Sequence, residues 1–503
     1  MTIVEYTKKQ GLQATSTLQK KEQKALGQYM TPPGVARFMA QRSLPPEGQA
    51  VVRILEPSAG AGILAAAVVE SLLNRATVPK EILVTLFEID PRLIPSLKKL
   101  AVQMRKEAKA RGVSLSVSIR NEDFLLSLEA LAAQPIADVV IANPPYFKIN
   151  ANDPRALAHP YAIYGQPNIY GVFMAACSNL LLPNGRWCFI TPRSWTNGLY
   201  FAATRRHLFH NLHIDAMHVF ESRRDHFIDE EILQEAMITW ATAQAVPFTN
   251  IVLSSSEGSG DLAESRLVQF PLNRVISQDD EQAISLPTDV EGLEVSSWTA
   301  TLSSYGLKVS TGPVVAFRAK DHISEASATG TVPLLWMQHI SRMRVMWPIN
   351  KKREHIQASA ATAWMLVPNV NMVIMRRFSP KEDERRVTAA PYFSGKLPGA
   401  MIGLENHTNY IYRPGGTLTA IETRGIAAYL NSQIVDQYLR TVAGNTQVNA
   451  TDLRKLPLPP HDILLEIGRA LRAGMTWKRI DSIVENILGR ATNQFREAGG
   501  LNA

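Results

Sequence analysis

The chain has 503 residues, 46% of them hydrophobic and 19% charged, and a formal net charge of +8. That length suits two or three domains with cores of their own, and the composition excludes a disordered, collagen-like or disulfide-stapled chain. The positive balance favours a polyanionic partner, and the longest apolar run, residues 59–69, is too short to cross a bilayer, so a cytoplasmic protein without membrane contact is expected.

Residues 1–24 are polar and are expected to form a loose arm or a short helix. Gly27-Gln28-Tyr29-Met30-Thr31-Pro32-Pro33 then leads into a helix-period stretch over 35–41, with Thr31 where an N-cap would sit and proline opening the helix. A capped helix start binds a carboxylate well. Residues 51–55 read as a strand, and Glu56-Pro57-Ser58-Ala59-Gly60-Ala61-Gly62 turns it into a helix over 63–73. Small residues and glycines at such a turn let a ligand approach the backbone. The pattern is not G-x-G-x-x-G and no Lys-Ser/Thr follows, which excludes a nicotinamide fingerprint and a phosphate loop. A second strand, 83–87, ends in Glu88-Ile89-Asp90, an acidic end placed to hold a ribose diol. A third, around 115–119, is followed by Asn121-Glu122-Asp123-Phe124, where Asp123 would accept from an adenine amine and Phe124 would pack on the purine ring.

The fourth strand, 139–141, runs into Asn143-Pro144-Pro145-Tyr146. Neither proline can donate a backbone hydrogen bond, and each pushes the residue before it into extended geometry. Asn143 is therefore held extended. The Pro144 carbonyl, followed by a residue with no N–H, is open to a ligand beside the Asn143 side-chain oxygen. A planar amine between two such acceptors donates both hydrogens, which draws its lone pair out of conjugation and makes the nitrogen nucleophilic. Tyr146 supplies a face for the ring that bears the amine. A bare Asn-Pro turn would produce the same four letters, but not the three ligand-type strand ends before them. Four such ends in succession define a doubly wound α/β sheet with its crevice above the strand ends.

In this order, Gln-Tyr-Met-Thr-Pro at 28–32, Leu-Glu-Pro-Ser-Ala-Gly-Ala-Gly at 55–62, Phe-Glu-Ile-Asp at 87–90, Asn-Glu-Asp-Phe at 121–124 and Asn-Pro-Pro-Tyr at 143–146 resemble the gamma-order N6-adenine DNA methyltransferases of type II restriction–modification systems, of the PstI and BsuBI kind. The resemblance implies S-adenosyl-L-methionine as cofactor. It assigns Thr31 and Glu56 to the methionine end, Glu88 to the ribose and Asp123 with Phe124 to the adenine, and it places Ser58, Gly60, Gly62 and Ile89 among the cofactor-binding residues. Asn143, Pro144, Pro145 and Tyr146 become the catalytic motif. The family also implies an aromatic that stacks the second face of an extruded base; Phe227 is assigned that place, with Phe220 as second choice.

Beyond the motif, 170–182 reads as a helix ended by Pro183-Asn184-Gly185, and 187–191 and 237–242 read as strands. Cys177 and Cys188 form no CxxC and suit a reducing compartment. His207, His210, His213, His218 and His226 lack cysteine or acidic partners at zinc spacing, so no metal is expected and a wet basic face is. Residues 254–260 read as a Gly-Ser-rich linker or loop. Residues 308–386 then carry thirteen Lys/Arg against six Asp/Glu, nearly the whole positive excess of the chain. Arg342, Arg344, Lys351, Lys352, Arg376 and Arg377 alternate there with Trp336, Trp347 and Phe378, as expected of a surface that tracks phosphates. The amide-rich blocks that follow supply Asn406, Gln447 and Asn449 as readers of adenine edges, and these blocks resemble the target-recognition half of the same enzymes. Residues 462–488 have the spacing of one or two amphipathic helices.

The expected architecture is a catalytic domain over 1–245, a mixed α+β target-recognition domain over 246–460 and a helical segment over 461–503 packed on it. The expected function is site-specific methylation of adenine N6 in double-stranded DNA, protecting host DNA from a separate restriction endonuclease, by a monomer or a dimer. The alternative is a protein-glutamine or RNA-adenine methyltransferase, which shares the Asn-Pro-Pro-Tyr chemistry but has no use for a large basic second lobe. A fused nuclease is not expected, because such a domain needs ~100 residues and only 26 precede Gly27.

Overall fold

The computed structural model describes residues 1–15, 31–131, 135–220, 236–243, 249–256, 258–277, 280, 282–286, 298–350, 353–378, 385–442, 448–472 and 474–497. They form two compact units, Met1–Thr288 and Asp289–Ala503. Among the described residues no helix is long and apolar enough to cross a membrane.

The first unit is built on nine strands: β1 (Val51–Glu56), β2 (Glu81–Phe87), β3 (Ser114–Arg120), β4 (Ala137–Ala142), β5 (Leu181–Pro192), β6 (His213–Phe220), β7 (Ala236–Thr242), β8 (Asn250–Ser256) and β9 (Arg266–Pro271). Their order across the sheet is β3-β2-β1-β4-β5-β7-β6-β8-β9, parallel through β5, with β7 antiparallel to both its neighbours. Every residue of β4 and β7 is buried, as apolar strands covered on both faces must be. Helices α1 (Ile3–Thr15), α2 (Pro33–Arg42), α3 (Ile63–Leu73) and α4 (Ile94–Ala110) supply the core of one face, where Val35, Leu64, Val68, Leu97 and Leu100 meet Ile54, Val84, Val139 and Ile190. Alternation along a strand turns Phe87 to the other face, where it meets Phe124 of α5 (Phe124–Leu131), itself stacked on Phe173 of α6 (Ile169–Ser178). The strand order reverses direction between β1 and β4, and ligand crevices of open α/β sheets form at that reversal.

Of the two forms expected for the polar start, residues 3–15 take the helix, held in place since Ile3 and Val4 are buried and the Val4 N–H donates to Glu70 at 3.0 Å. Three other sequence expectations change. The helix expected over 170–182 ends at Ser178, since β5 already begins at Leu181, and Asn184 at φ 62° makes Pro-Asn-Gly an irregularity within that strand. Residues 254–256 are strand, not linker: their hydroxyls are sequestered, with Ser254 and Ser256 holding the two ring nitrogens of buried His218 at 2.9 and 3.0 Å. The boundary expected at 245 falls inside the sheet, because β8 pairs with β6 and β9 with β8.

The second unit contains β10 (Lys308–Thr311), β11 (Ile323–Ser324), β12 (Thr331–Leu335), β13 (Ile340–Ser341), β14 (Arg344–Val345), β15 (His355–Gln357), β16 (Leu366–Pro368), β17 (Met372–Arg376), β18 (Ala389–Tyr392), β19 (Met401–Leu404) and β20 (Thr408–Tyr412). They make sheets ordered β10-β20-β17-β18 and β11-β15-β12-β19-β16 and a β13-β14 pair. Helices Ala420–Leu430, His461–Ala470 and Trp477–Glu497 bury Ile426, Leu464, Ile467 and Val484 in one core with Val309, Val373 and Ile411. The helices His461–Ala470 and Trp477–Glu497 thus contribute to that core.

Candidate active site

The strand ends β1, β2 and β4 bring the crevice residues together. After β1, Gly60 (φ 54°) and Gly62 (φ 83°) take left-handed conformations that L side chains rarely adopt. A Cβ on Gly62 would lie 2.6 Å from Leu100 Cδ2, so this glycine lets the start of α3 pack on α4. Nothing stands within 4 Å of a Cβ at Gly60, so there the backbone borders open space. Glu56, 1% exposed, accepts the Ala65 N–H in the first turn of α3 at 2.9 Å. Burial pushes its carboxyl well above the usual range, against the pull of that N–H, and the nearby Glu88 charge adds to the rise.

Glu88 closes β2. One carboxylate oxygen accepts from the Gly60 N–H at 2.7 Å and the other from the Asp90 N–H at 2.8 Å, so the carboxylate is locked in place while each oxygen keeps a further lone pair. Burial raises its pKa to about 6, opposed by those two N–H groups. Ile89, 57% exposed, is an apolar side chain at the same strand end. Asn121 donates to the Glu88 and Ile89 carbonyls at 2.8 and 3.2 Å and ties the loops after β2 and β3 together.

The two residues expected at the adenine have partners within the fold. Asp123 caps α5 through the Leu125 N–H at 3.0 Å, and its second oxygen lies 4.0 Å from Arg155. Phe124 is 2% exposed and is a core ring between Phe87 and Phe173, because α5 begins at this residue and turns it inward.

The Asn-Pro-Pro-Tyr segment follows β4 with its polar atoms bonded. Asn143 Nδ2 donates to Thr31 Oγ1 at 3.1 Å, and the Tyr146 hydroxyl lies 2.6 Å from Asn143 Oδ1 and 2.9 Å from the Ile190 carbonyl of β5. Both partners of the amide are hydroxyls, and the single Tyr146 proton is shared between Asn143 Oδ1 and the Ile190 carbonyl, so the amide is held at both ends. Thr31, 6% exposed, is therefore not the helix cap: Pro32 takes that place without a side-chain hydrogen bond. Ser58 Oγ donates to the Asn143 carbonyl at 3.2 Å, so the turn after β1 is joined to the catalytic loop. Among the described residues no donor reaches the Pro144 carbonyl. The Tyr146 ring meets Tyr170 edge to face at 5.9 Å, and Tyr170 is fixed by Ser194 at 2.7 Å.

Phe227 lies outside the described residues. Phe220, 4% exposed, is core and packs against His218. The Ile190 carbonyl and the Tyr170 to Ser194 support were not foreseen. A backbone carbonyl leaves no mark in a sequence, and Tyr170 reads simply as helix. The histidines scatter: His207 stacks on Tyr161 at 4.3 Å, burial lowers His218 to about 4, and His226 lies outside the described residues.

In the second unit the expected DNA contacts divide. Arg344 is exposed, and Arg342 lies over the Trp477 ring at 5.5 Å. Arg376 and Arg377 donate to the carbonyls of Ile340 and Asn406, at 2.8 and 3.3 Å. Asn449 stands at the N-cap of the helix Ala450–Lys455, where its backbone N–H donates to Asp452 Oδ2 at 3.0 Å. Asn406 is half-buried with its amide unpaired among the described residues, whereas Lys351, Lys352 and Gln447 lie outside them.

Residues 116–227 match the family model of the Eco57I restriction-modification methylase. Over 489 residues, 94% of this chain and 95% of the relative, the sequence is 32% identical to the type II methyltransferase M.PstI of Providencia stuartii. It is 32% identical over 483 residues to the type II methyltransferase M.BsuBI of Bacillus subtilis, covering 93% and 94% of the two chains. In fold it is similar to the type IIL restriction-modification enzyme MmeI, solved in complex with DNA, with a TM-score of 0.55 at 11% identity over 90% of this chain and 71% of that one.

Proposed function

Because the chain belongs to the type II methyltransferases of restriction–modification systems, we propose that it methylates N6 of one adenine within a specific site of double-stranded DNA. The methyl donor is S-adenosyl-L-methionine, which supplies a methyl group on a sulfonium sulfur when bound. The crevice fits that cofactor: Gly60 leaves backbone open beside it, the fixed carboxylate of Glu88 offers lone pairs to a diol, and Thr31 offers a hydroxyl at the other end.

The observation that carries the adenine reading is the bonded series Thr31, Asn143, Tyr146, Ile190 at the end of β4. Thr31 and Tyr146 hold the amide at its two ends, and in this reading Oδ1 is the oxygen that meets the amine. With the open Pro144 carbonyl it offers two acceptors to an exocyclic amine, and neither needs to reorganise during the reaction. No strong base is required there, because an amine sheds its proton after attack. Such an amine is inaccessible inside a duplex, so the adenine is rotated out of the stack. In this reading the second unit grips the DNA, a cognate endonuclease is a separate protein, and the enzyme works in the cytoplasm on host DNA.

The test is methyl transfer to DNA from labelled cofactor, with products resolved by nucleoside analysis and their sequence context read by single-molecule sequencing. N6-methyladenine in one recurring context is expected. Methylated cytosine, or label in protein or RNA instead of DNA, would overturn the reading.

A further inference from the structure

A cavity of about 680 Å3 in the second unit is lined by Phe317, Trp336, Gln338, Phe378, Asn406 and His407. Trp336, Phe378 and the Glu405–His407 turn follow the carboxyl ends of β12, β17 and β19. Gly312 has no room for a Cβ against the Leu404 and Glu405 carbonyls, which lets the segment bearing Phe317 lie along that turn.

The lining joins flat apolar faces to an unsatisfied polar edge. Phe317 is 74% and Phe378 37% exposed, and rings left in water lower the free energy only when something covers them. Along the edge, Glu405 is 1% exposed and accepts from His407 twice, from Nδ1 at 2.6 Å and from the backbone N–H at 3.0 Å. The ring is thereby aimed, with its Nε2 edge outward. The side-chain amides of Gln338 and Asn406 have no hydrogen-bond partner among the described residues. Arg318 sits over Phe317 at 5.4 Å, within the stretch 308–386 that holds thirteen cationic against six anionic residues, so the occupant belongs to a polyanion. A ring with stackable faces and an edge of donors and acceptors, carried on a polyanion, is a nucleobase. Within the duplex a base shows only its edge, and a protruding element reads it; a concave, ring-lined receptor suits a base that has left the stack.

We propose that this cavity receives one base of the recognition site other than the methylated adenine, with Phe317 and Phe378 against its face and Gln338, Asn406 and His407 along its edge. This rests on the DNA-methylation reading above.

The experiment uses the full-length enzyme and duplexes bearing the context found by sequencing wild-type-modified DNA, varied one position at a time and including an abasic spacer at each. In the double variant Gln338→Ala, Asn406→Ala, discrimination in kcat/KM at one position other than the methylated adenine falls by roughly 10- to 100-fold. Phe317→Ala raises KM by roughly 10-fold on the intact site with kcat retained, and loses that deficit when the same position is abasic. Cofactor affinity and thermal melting, both read in each variant, stay at wild-type values, since Phe317 is exposed and belongs to no core. Unchanged discrimination at every position overturns the proposal. So does a uniform loss with a shallower salt dependence, which marks phosphate contact alone. Wild-type enzyme that leaves no N6-methyladenine in DNA removes the underlying reading itself, a result distinct from a methylating enzyme whose variants keep full stringency.

Discussion

The loop after β4 and the turn after β19 both present an asparagine at a strand end, and they treat it in opposite ways. Asn143 is held at both ends of its amide by Thr31 and Tyr146, and its backbone carbonyl is held by Ser58. Asn406 has its backbone bonded while its amide is left open at the mouth of an aromatic cavity. A group that must stabilise charge during a reaction gains from being fixed beforehand, because reorganisation then adds nothing to the barrier. A group that must distinguish one partner from another gains from being unpaired in the free protein, because only the right partner satisfies it. Three residues further on, Asn409 shows a third state: fully buried, it donates to the Val448 carbonyl at 2.8 Å and is structural.

The sharpest way to break this contrast is Asn143→Ala, for which kcat is expected to fall by ~10²-fold or more with cofactor affinity retained. Single-turnover methylation beside a cofactor-binding titration checks it, and parental kcat would remove Asn143 from catalysis. Next in size is Asn409→Ala, which should lower unfolding free energy by ~1–3 kcal/mol through the unpaired Val448 carbonyl. Denaturant unfolding measures that loss, and the methylated sequence context should stay as in the parent. A changed context would mean that Asn409, not only Asn406, takes part in reading.

Thr31→Val keeps the shape but removes the oxygen that orients the Asn143 amide, and a loss of about 10-fold in kcat is expected, as for one net hydrogen bond. Thr31→Ser should restore most of it; equal rates in Val and Ser would make the threonine a packing residue.

The smallest effect concerns pH. The Glu88 pKa is raised to about 6, chiefly by burial, so its ionised form is the disfavoured one in the fold. Its contribution to stability is accordingly present below the ordinary carboxylate value and is lost as pH rises through about 6. Cofactor binding runs the other way, since a diol donates best to an ionised carboxylate. Affinity should weaken several-fold, at most ~10-fold, between about pH 7 and pH 5, and Glu88→Gln should flatten the profile. Calorimetric titration across that range checks both, and an unchanged slope in the Gln variant would assign the dependence elsewhere.

Much of the first unit was legible because its determinants are local. Proline fixes φ at 144 and 145, Gly60 and Gly62 permit positive φ, and strand periodicity carries Glu56, Glu88 and Asn143 to strand ends that a doubly wound sheet must align. What the local chain could not encode is whether a side chain already has a partner. Thr31 meets Asn143 across 112 positions, Phe124 is claimed by Phe87 and Phe173, and two serines read as linker are needed by buried His218. The basic stretch 308–386 raised the expectation of an anion-facing unit from its charge alone. Tertiary structure decided which of its groups remain open, because hydrogen bonds between distant segments consume some arginines and asparagines and leave others to the solvent.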